Sequence, residues 1–297
     1  MKNRSAFLAG VSLFCCFCLL VASGVIGGWS SKGLRAWGIL VAEVLAFFLP
    51  TVLLILPLRR GEPLKIPVST KRLSFPTVRF AIYIGVAVSF VSFLLNLACL
   101  QLFGQDIASM NPASFRSSDI GSYFFLYLFA IVVVPAVVEE IYLRGALLRV
   151  FSRYAGTGLS ILLAALVFAM LHGSLYNFLG PLVGGLLFGW LTFVYDSIWP
   201  AVIAHMVNNL FYLLILWFTD AFSAFGIWSH FPSVCVLLAL VFTYLSLCAA
   251  ERLFLTGRVP HFAQGQHGLA AVRALVMNPA SLAFVAAFFA KTVFGVI

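Results

Sequence analysis

Nine long apolar runs restrict the fold of this chain more than any other feature of its sequence. Most of them reach the ~20 residues that a helix needs to cross a ~30 Å hydrocarbon core. Only helices and closed barrels satisfy their backbone hydrogen bonds in lipid, and the alternating strands of a barrel would not give uninterrupted apolar runs. The runs are 5–28, 34–58, 79–103, 121–149, 158–173, 177–195, 198–218, 232–250 and 279–297.

These runs predict an all-α, polytopic bundle of about 8–9 transmembrane helices. Two runs are less certain spans, because 158–173 is short and 279–297 contains Lys291. The composition agrees with a membrane protein: 63% of the residues are hydrophobic and only 9% are charged. A soluble domain carries roughly 25% charged residues. A soluble enzyme, a disordered chain and a nucleic-acid-binding domain are therefore excluded.

Cysteine usage indicates neither a disulfide framework nor a zinc site. All six cysteines fall within apolar runs and none has the spacing of zinc ligands. We interpret them as packing residues.

The positions of the basic residues predict the orientation, because Lys and Arg collect in cytoplasmic loops. With the N-terminus in the cytoplasm, three basic residues lie outside (Lys32, Arg35, Arg116), two lie within spans (Arg144, Lys291), and thirteen lie inside. The thirteen are Lys2, Arg4, Arg59, Arg60, Lys65, Lys71, Arg72, Arg79, Arg149, Arg153, Arg252, Arg258 and Arg273. We expect a multi-pass protein of a bacterial or archaeal cell membrane, with the basic segment 59–79 against anionic headgroups.

Ionisable residues inside the predicted spans are the first indication of function, since each is costly in a bilayer. The fourth run contains VVEEIYLR, in which Glu140 and Arg144 share a helix face and can form an ion pair. Glu139 is rotated by about 100° from that face. A carboxylate without a cation of its own suits a general base. The alternative is that all three residues form a structural charge cluster.

Two further spans carry polar pairs with a spacing of four residues. The fifth ends in FAMLH, which places Phe168 against His172, and the seventh contains HMVNN, which places His205 and Asn209 on one face. Asn208 should point elsewhere and act in packing. Each histidine could instead make only a helix–helix hydrogen bond.

The predicted depths of these polar residues in the membrane favour one shared site over separate packing roles. At ~1.5 Å per residue from the predicted cytoplasmic helix ends, Glu139 lies ~15 Å deep, His172 ~21 Å, His205 ~11 Å and Asn209 ~17 Å. The sixth run, GPLVGGLLFG, carries glycines at the spacing that lets helices approach closely. Packing accounts fully for these glycines.

The three motifs together resemble those of the CPBP intramembrane proteases. EEIYLR fits EExxxR, FAMLH fits FxxxH and HMVNN fits HxxxN, in this order on successive predicted helices. The family includes type II CAAX prenyl endopeptidases and bacteriocin-processing or self-immunity (Abi) proteins. The resemblance covers about 121–212, which would be the catalytic core. Residues 1–120 would supply N-terminal helices and the basic loop, and 213–297 would supply C-terminal helices.

The resemblance implies hydrolysis of a peptide bond in a membrane-embedded or lipidated substrate. By similarity, Glu139 and His172 would activate water, His205 and Asn209 would stabilise the oxyanion, and Glu140, Arg144 and Phe168 would support the site. The family is commonly labelled metalloprotease, and Glu139, His172 and His205 are the candidate zinc ligands. There is no HExxH helix, and we favour a metal-free mechanism.

Two alternatives belong to other functional classes. The same fold could serve as a non-catalytic scaffold or immunity protein that binds partners without cutting them. The buried acids and imidazoles could instead form the relay of a proton-coupled transporter. Against the transporter, the sequence contains no repeated halves and no matching pair of interrupted helices. We expect no nucleic-acid partner.

Overall fold

The computed structural model describes residues 2–27, 32–58, 73–104, 120–224, 230–262 and 268–294. Every regular element in these ranges is a helix, which confirms the all-α prediction. The helices before the motifs are α1 (Lys2–Gly27), α2 (Lys32–Leu58) and α3 (Phe75–Leu102). Most of the basic segment 59–79, together with Arg116 and His267, lies outside the described residues, and the predicted orientation stays a prediction.

The fourth apolar run forms one composite helix, 120–151, in which α-helical and π-helical segments alternate. They are α4 (Ile120–Leu128), a π-helix (Phe129–Val133), α5 (Val134–Glu140), a second π-helix (Ile141–Leu147) and α6 (Leu148–Phe151). Short π-helical insertions are rare and often occur at functional sites. Here the second insertion begins directly after Glu140 and contains Arg144.

Six helices follow the composite helix. They are α7 (Thr157–Leu171), α8 (Leu179–Tyr195), α9 (Trp199–Ala224), α10 (Phe231–Leu255), α11 (Gly268–Val276) and α12 (Pro279–Phe294). Helix α11 lies between the last two apolar runs, and neither run predicts it. It meets α12 at an angle of 71°, where Asn278 accepts a hydrogen bond from Ser281 N at 3.0 Å and so caps the start of α12.

Five of the described helices are long and apolar enough to cross a membrane, or six if α11 and α12 form one bent span. Three shorter apolar helices, Thr157–Leu171, Leu179–Tyr195 and Trp199–Ile215, come directly after the composite helix. Each of the nine predicted runs therefore falls mostly on a described helix, and the predicted number of spans is roughly compatible with the helices found.

Two apolar clusters meet at the motif helices. One joins α1, α2 and α12 to the composite helix and α7, and includes Tyr142 and Phe168. A second joins α3, α8 and α9, and includes Phe188 and Ala204. Because Phe168 and Phe188 belong to different clusters, the polar groups between them lie at the boundary of the two halves of the core.

Glycines on α8 bring that helix close to its neighbours, as expected. A β-carbon on Gly185 would lie 2.8 Å from Ala165 Cα on α7, and one on Gly180 would lie 2.7 Å from Ser92 Cβ on α3. Contacts that close do not occur for real β-carbons, so only glycine allows these helix–helix distances. The close approach of α8 to α7 places a backbone carbonyl of α8 within reach of the motif side chains.

Candidate active site

Glu140 is the centre of a fully buried polar cluster. Its Oε1 accepts a hydrogen bond from Arg144 Nη1 at 2.8 Å, the ion pair predicted from the i, i+4 spacing. The same oxygen accepts a hydrogen bond from His205 Nδ1 at 2.9 Å. Arg144 also donates from Nη2 to the Gly185 carbonyl at 3.2 Å. One carboxylate therefore links the composite helix to α9, and its arginine partner links it to α8.

Two phenylalanines enclose this cluster. The His205 ring stacks on the Phe188 ring at a centroid distance of 5.1 Å. It also makes an edge-to-face contact with the Phe168 ring at a centroid distance of 5.6 Å. The guanidinium carbon of Arg144 lies 4.9 Å from the Phe168 centroid and 5.7 Å from that of Phe188. Cation–π attraction of this kind is strongest when water is excluded. The aromatic rings thus hold both the arginine and the histidine in fixed positions.

His172 lies at the C-terminal end of α7, where a hydrogen bond between its ring and a backbone carbonyl defines its tautomer. Its Nδ1 is 2.9 Å from the carbonyl oxygen of Phe168, one turn earlier. A carbonyl oxygen only accepts, so Nδ1 must carry the proton and donate it. The lone pair of a neutral ring is then on Nε2. That nitrogen is suited to accept a proton from a water molecule.

Glu139 is buried but lacks the partners that Glu140 has. It is 8% exposed, and its Oε2 lies 4.0 Å from His205 Nε2. This oxygen has no hydrogen-bond partner among the described residues. The sequence expectation that Glu139 does not share the pairing of Glu140 with Arg144 is in accord with this geometry.

The motif residues line two adjoining cavities. The larger, about 360 Å³, is lined by Glu43, Glu139, His172 and Lys291 together with apolar side chains. The smaller, about 90 Å³, is lined by His172, His205, Asn208 and Asn209 among others. Phe168 and His172 line both cavities. The Phe168–His172 pair, with ring centroids 4.9 Å apart, therefore lies where the two cavities adjoin.

Asn209 is hydrogen-bonded to the composite helix at the backbone carbonyl of Ile131. In an α-helix this carbonyl would accept from the N–H of residue 135, which is a proline. Pro135 has no N–H to give to Ile131, four residues earlier. Asn209 Nδ2 donates to the Ile131 carbonyl at 3.4 Å. One N–H of the amide remains for another acceptor.

The expectation that Asn208 points away from the site is wrong. Asn208 lines the smaller cavity and donates from Nδ2 to Asn209 Oδ1 at 3.1 Å. Side chains at adjacent helical positions are only about 100° apart. That separation still lets a residue at the edge of a face reach the same cavity as its neighbour.

A zinc ion would need three protein ligands converging on one point. Among the described residues, no three His, Cys, Asp or Glu side chains are grouped so that they could hold a metal ion. Nδ1 of His205 is engaged by Glu140 and Nδ1 of His172 by a carbonyl, so each ring has one nitrogen left. As arranged here, Glu139, His172 and His205 do not fit a metal site, and no step below depends on one.

The larger cavity contains two charged residues that sequence reasoning left without a role. Glu43 on α2 lies 96 residues from Glu139, the nearest motif residue, and Lys291 on α12 lies 82 residues from Asn209. Both lie within apolar runs of the sequence, Glu43 in 34–58 and Lys291 in 279–297. Their positions facing Glu139 depend on the packing of α2 and α12, for which the sequence carries no signal.

Residues 121–211 match the family model described as Type II CAAX prenyl endopeptidase Rce1-like. The matched segment contains all three motifs and runs from the start of the composite helix into α9. No curated protein and no solved structure gave a match.

The motifs, their convergence on one buried cluster and the matched segment lead to the same family. Over 121–211 this integral-membrane chain matches an Rce1-like type II CAAX prenyl endopeptidase domain, and in that segment it is similar to the CPBP intramembrane proteases.

Proposed function

We propose that this protein hydrolyses a peptide bond of a membrane-associated peptide, and that Glu139 and His172 activate the attacking water. The observation that carries the proposal is that these two side chains line one cavity, each with an atom that can accept a proton. Glu139 Oε2 has no hydrogen-bond partner among the described residues. His172 has Nε2 available because its Nδ1 donates to the Phe168 carbonyl.

In the proposed first step a water molecule loses a proton to His172 Nε2 or to the Glu139 carboxylate. Its oxygen forms a bond to the carbonyl carbon of the substrate, and the carbonyl electron pair moves onto oxygen. General base catalysis of this kind is typically worth 10²–10⁴ in rate. When the C–N bond breaks, its electron pair goes to nitrogen, and the proton taken from water passes to the amine. The products are a carboxylic acid and an amine.

Asn209 and His205 are the proposed stabilisers of the oxyanion. Asn209 keeps one amide N–H, since the other donates to the Ile131 carbonyl. His205 donates from Nδ1 to Glu140, so its Nε2 can donate to an oxyanion only when the ring carries both protons. Preorganised donors in a water-excluded site are usually the largest contribution to catalysis of this type. We therefore assign Asn209 the primary role and His205 a role that depends on its protonation.

The proposed substrate is a lipidated or membrane-embedded peptide. The matched family is named for prenyl endopeptidases, whose CAAX substrates carry a prenyl group on a cysteine near the C-terminus. The described site is surrounded by apolar helices. A substrate that already resides in the membrane would reach it without leaving lipid.

The test is cleavage of quenched fluorescent peptides by protein purified in detergent. A prenylated CAAX peptide and its unprenylated counterpart are compared for the wild type and the Glu139→Ala variant, with the products identified by mass spectrometry. We expect the wild type to cleave the prenylated peptide and the variant to be inactive although folded. Undiminished turnover by the purified variant would overturn the proposal.

A chelator arm addresses the metal question independently. We expect activity to persist after incubation with a chelator and dialysis. If activity is lost and returns on addition of zinc, the three candidate ligands must rearrange on binding, and the metal-free mechanism is wrong. Proton-dependent solute uptake into proteoliposomes, without peptidase activity, would favour the transporter alternative.

A further inference from the structure

A third cavity, separate from the candidate active site, has a strongly basic mouth. It occupies about 470 Å³ between α3, the end of α8 and α10, and shares no lining residue with the two cavities described above. Arg79, Arg252 and Arg258 all line it. Among the described residues no carboxylate lines this cavity, so the three cations lie here without a countercharge from that part of the chain.

The arginines have no acidic partners elsewhere in the described part of the chain. None of the three arginines has a described ion pair with a carboxylate, and Asp196, which follows the lining residue Tyr195, is paired with Arg149 at 2.7 Å. The guanidinium carbon of Arg79 lies 5.8 Å from the centroid of the Phe75 ring. Guanidinium groups without carboxylate partners are well suited to bind phosphate oxygens in a bidentate manner.

The start of α3 adds further anion-binding groups to the same mouth. Ser74 caps this 28-residue helix, its side chain accepting from Thr77 N at 3.4 Å, and both residues line the cavity. A helix N-terminus favours negative charge because its N–H groups and its dipole both point toward the ligand. The hydroxyl of Tyr195, at the end of α8, also lies in this wall.

Away from the arginines the cavity becomes apolar. Its inner part is lined by Phe80, Tyr83, Leu245 and Ala249. Along α10, Leu245 lies seven residues from Arg252, which corresponds to about 10 Å at 1.5 Å per residue. A free phosphate ion would need only the basic mouth. An apolar extension of this length matches the first part of an acyl chain.

We propose that this cavity binds one anionic phospholipid, with its phosphate between Arg79, Arg252 and Arg258 and an acyl chain along α3 and α10. The three arginines belong to the set predicted to face the cytoplasm, so the lipid would come from the cytoplasmic leaflet. Basic pockets between transmembrane helices on that side are suited to anionic headgroups. The proposal does not depend on the peptidase activity.

The test measures the shift of the thermal unfolding midpoint of the full chain, purified in detergent and titrated with phosphatidylglycerol. Phosphatidylcholine with the same acyl chains and glycerol phosphate without chains are titrated in parallel. The test variant is Arg252→Gln/Arg258→Gln. The matched control is Arg4→Gln/Arg273→Gln, which removes the same charge from the same predicted side at exposed residues that do not line the cavity.

We expect phosphatidylglycerol to stabilise the wild type and the control variant, with phosphatidylcholine much less effective. In Arg252→Gln/Arg258→Gln the half-saturating phosphatidylglycerol concentration should rise about thirtyfold. Each basic residue contributes about 1 kcal/mol of attraction to an anionic headgroup, and each 1.4 kcal/mol of binding free energy corresponds to a tenfold change in affinity. If the double variant folds poorly, Arg258→Gln alone, outside α10, should give a rise of about fivefold.

Three results would overturn the proposal. The first is equal stabilisation of the wild type and the Arg252→Gln/Arg258→Gln variant by phosphatidylglycerol. The second is an equal loss in the control variant, which would mean that the lipid responds to overall charge and not to this cavity. The third is glycerol phosphate acting at the same concentration as the lipid, which would assign the cavity to a soluble phosphate ester.

Discussion

His205 Nδ1 donates a hydrogen bond to Glu140 Oε1 at 2.9 Å, across 65 residues of chain, and Arg144 donates to the same oxygen at 2.8 Å. The carboxylate that the i, i+4 motif pairs with arginine therefore also orients a histidine from a different helix. Breaking a buried pair by removing one partner leaves an uncompensated charge, which is strongly destabilising. The cluster thus couples the stability of the fold to the geometry of the site.

The first prediction concerns this coupling. Arg144→Met should lower the free energy of unfolding by about 3–5 kcal/mol, because Glu140 keeps its hydrogen bond from His205 but loses its arginine cation as a buried carboxylate. Adding Glu140→Leu should recover part of that loss, since the orphaned charge is removed. Unfolding in detergent, measured for the wild type, both single variants and the double variant, gives the interaction energy directly. Strictly additive effects would show that the pair is not coupled.

Part of this site follows from sequence alone because it lies within single helices. Spacing of four residues places Glu140 against Arg144 and Phe168 against His172, and both contacts are present. The all-α fold likewise follows from the apolar runs, because a long apolar segment in lipid can satisfy its backbone hydrogen bonds by forming a helix. Local periodicity is sufficient for both.

The rest depends on how helices pack against one another, which local spacing does not encode. Nothing in the sequence indicates that His205 meets Glu140, or that Glu43 from α2 and Lys291 from α12 face Glu139. Helical periodicity also does not predict that Asn208 lines the smaller cavity, because it gives the direction of a side chain but not the width of the cavity that the side chain faces. The motifs identify the candidate residues, and the helix packing determines their partners.

The second prediction distinguishes Glu139 from the cluster. Glu139→Gln should reduce peptidase activity at least a hundredfold without lowering the unfolding midpoint, because Glu139 Oε2 has no hydrogen-bond partner to lose. Functional groups held in an unfavourable environment often show this trade-off between stability and activity. The exposed Glu251→Gln serves as the control and should leave both quantities unchanged. A large loss of stability in Glu139→Gln would indicate a structural role.

The third prediction concerns His172. His172→Gln should lower kcat by about 10²–10⁴ with little change in KM, because a proton acceptor is removed from the reacting water. His261→Gln, at an exposed position, should behave as the wild type. Steady-state kinetics on the prenylated peptide separate the two parameters. An increase in KM with unchanged kcat would place His172 in substrate binding instead.

The fourth prediction concerns the close contact between α7 and α8. Gly185→Ala would place a β-carbon 2.8 Å from Ala165 Cα, so the helices must separate and the carbonyl that accepts from Arg144 Nη2 must move. We expect a lower unfolding midpoint and reduced activity. Gly158→Ala is the matched control, since nothing lies within 4 Å of its β-carbon position and alanine favours the helix by about 0.5–1 kcal/mol. If both substitutions behave alike, the close approach is not required.

The fifth prediction tests the two charged residues of the larger cavity that the motifs do not include. Glu43→Gln and Lys291→Met should each change kcat/KM, because their side chains line the cavity that contains Glu139 and His172. Removing a charge that faces the reacting groups alters the field in which the water is activated. Peptidase assays beside the Glu251→Gln control decide the matter. If both variants show wild-type kinetics, Glu43 and Lys291 do not influence the reaction.

In the proposed mechanism, Glu139 and His172 activate a water molecule whose oxygen enters the new carboxyl group. Cleavage of the prenylated peptide in water enriched in heavy oxygen tests this step for the wild type, Glu139→Gln and His172→Gln, with the masses of the products determined by mass spectrometry. We expect the wild type to incorporate one heavy oxygen into the newly formed carboxyl terminus and both variants to form at least a hundredfold less product. Product formed at the wild-type rate by either purified variant would contradict this mechanism.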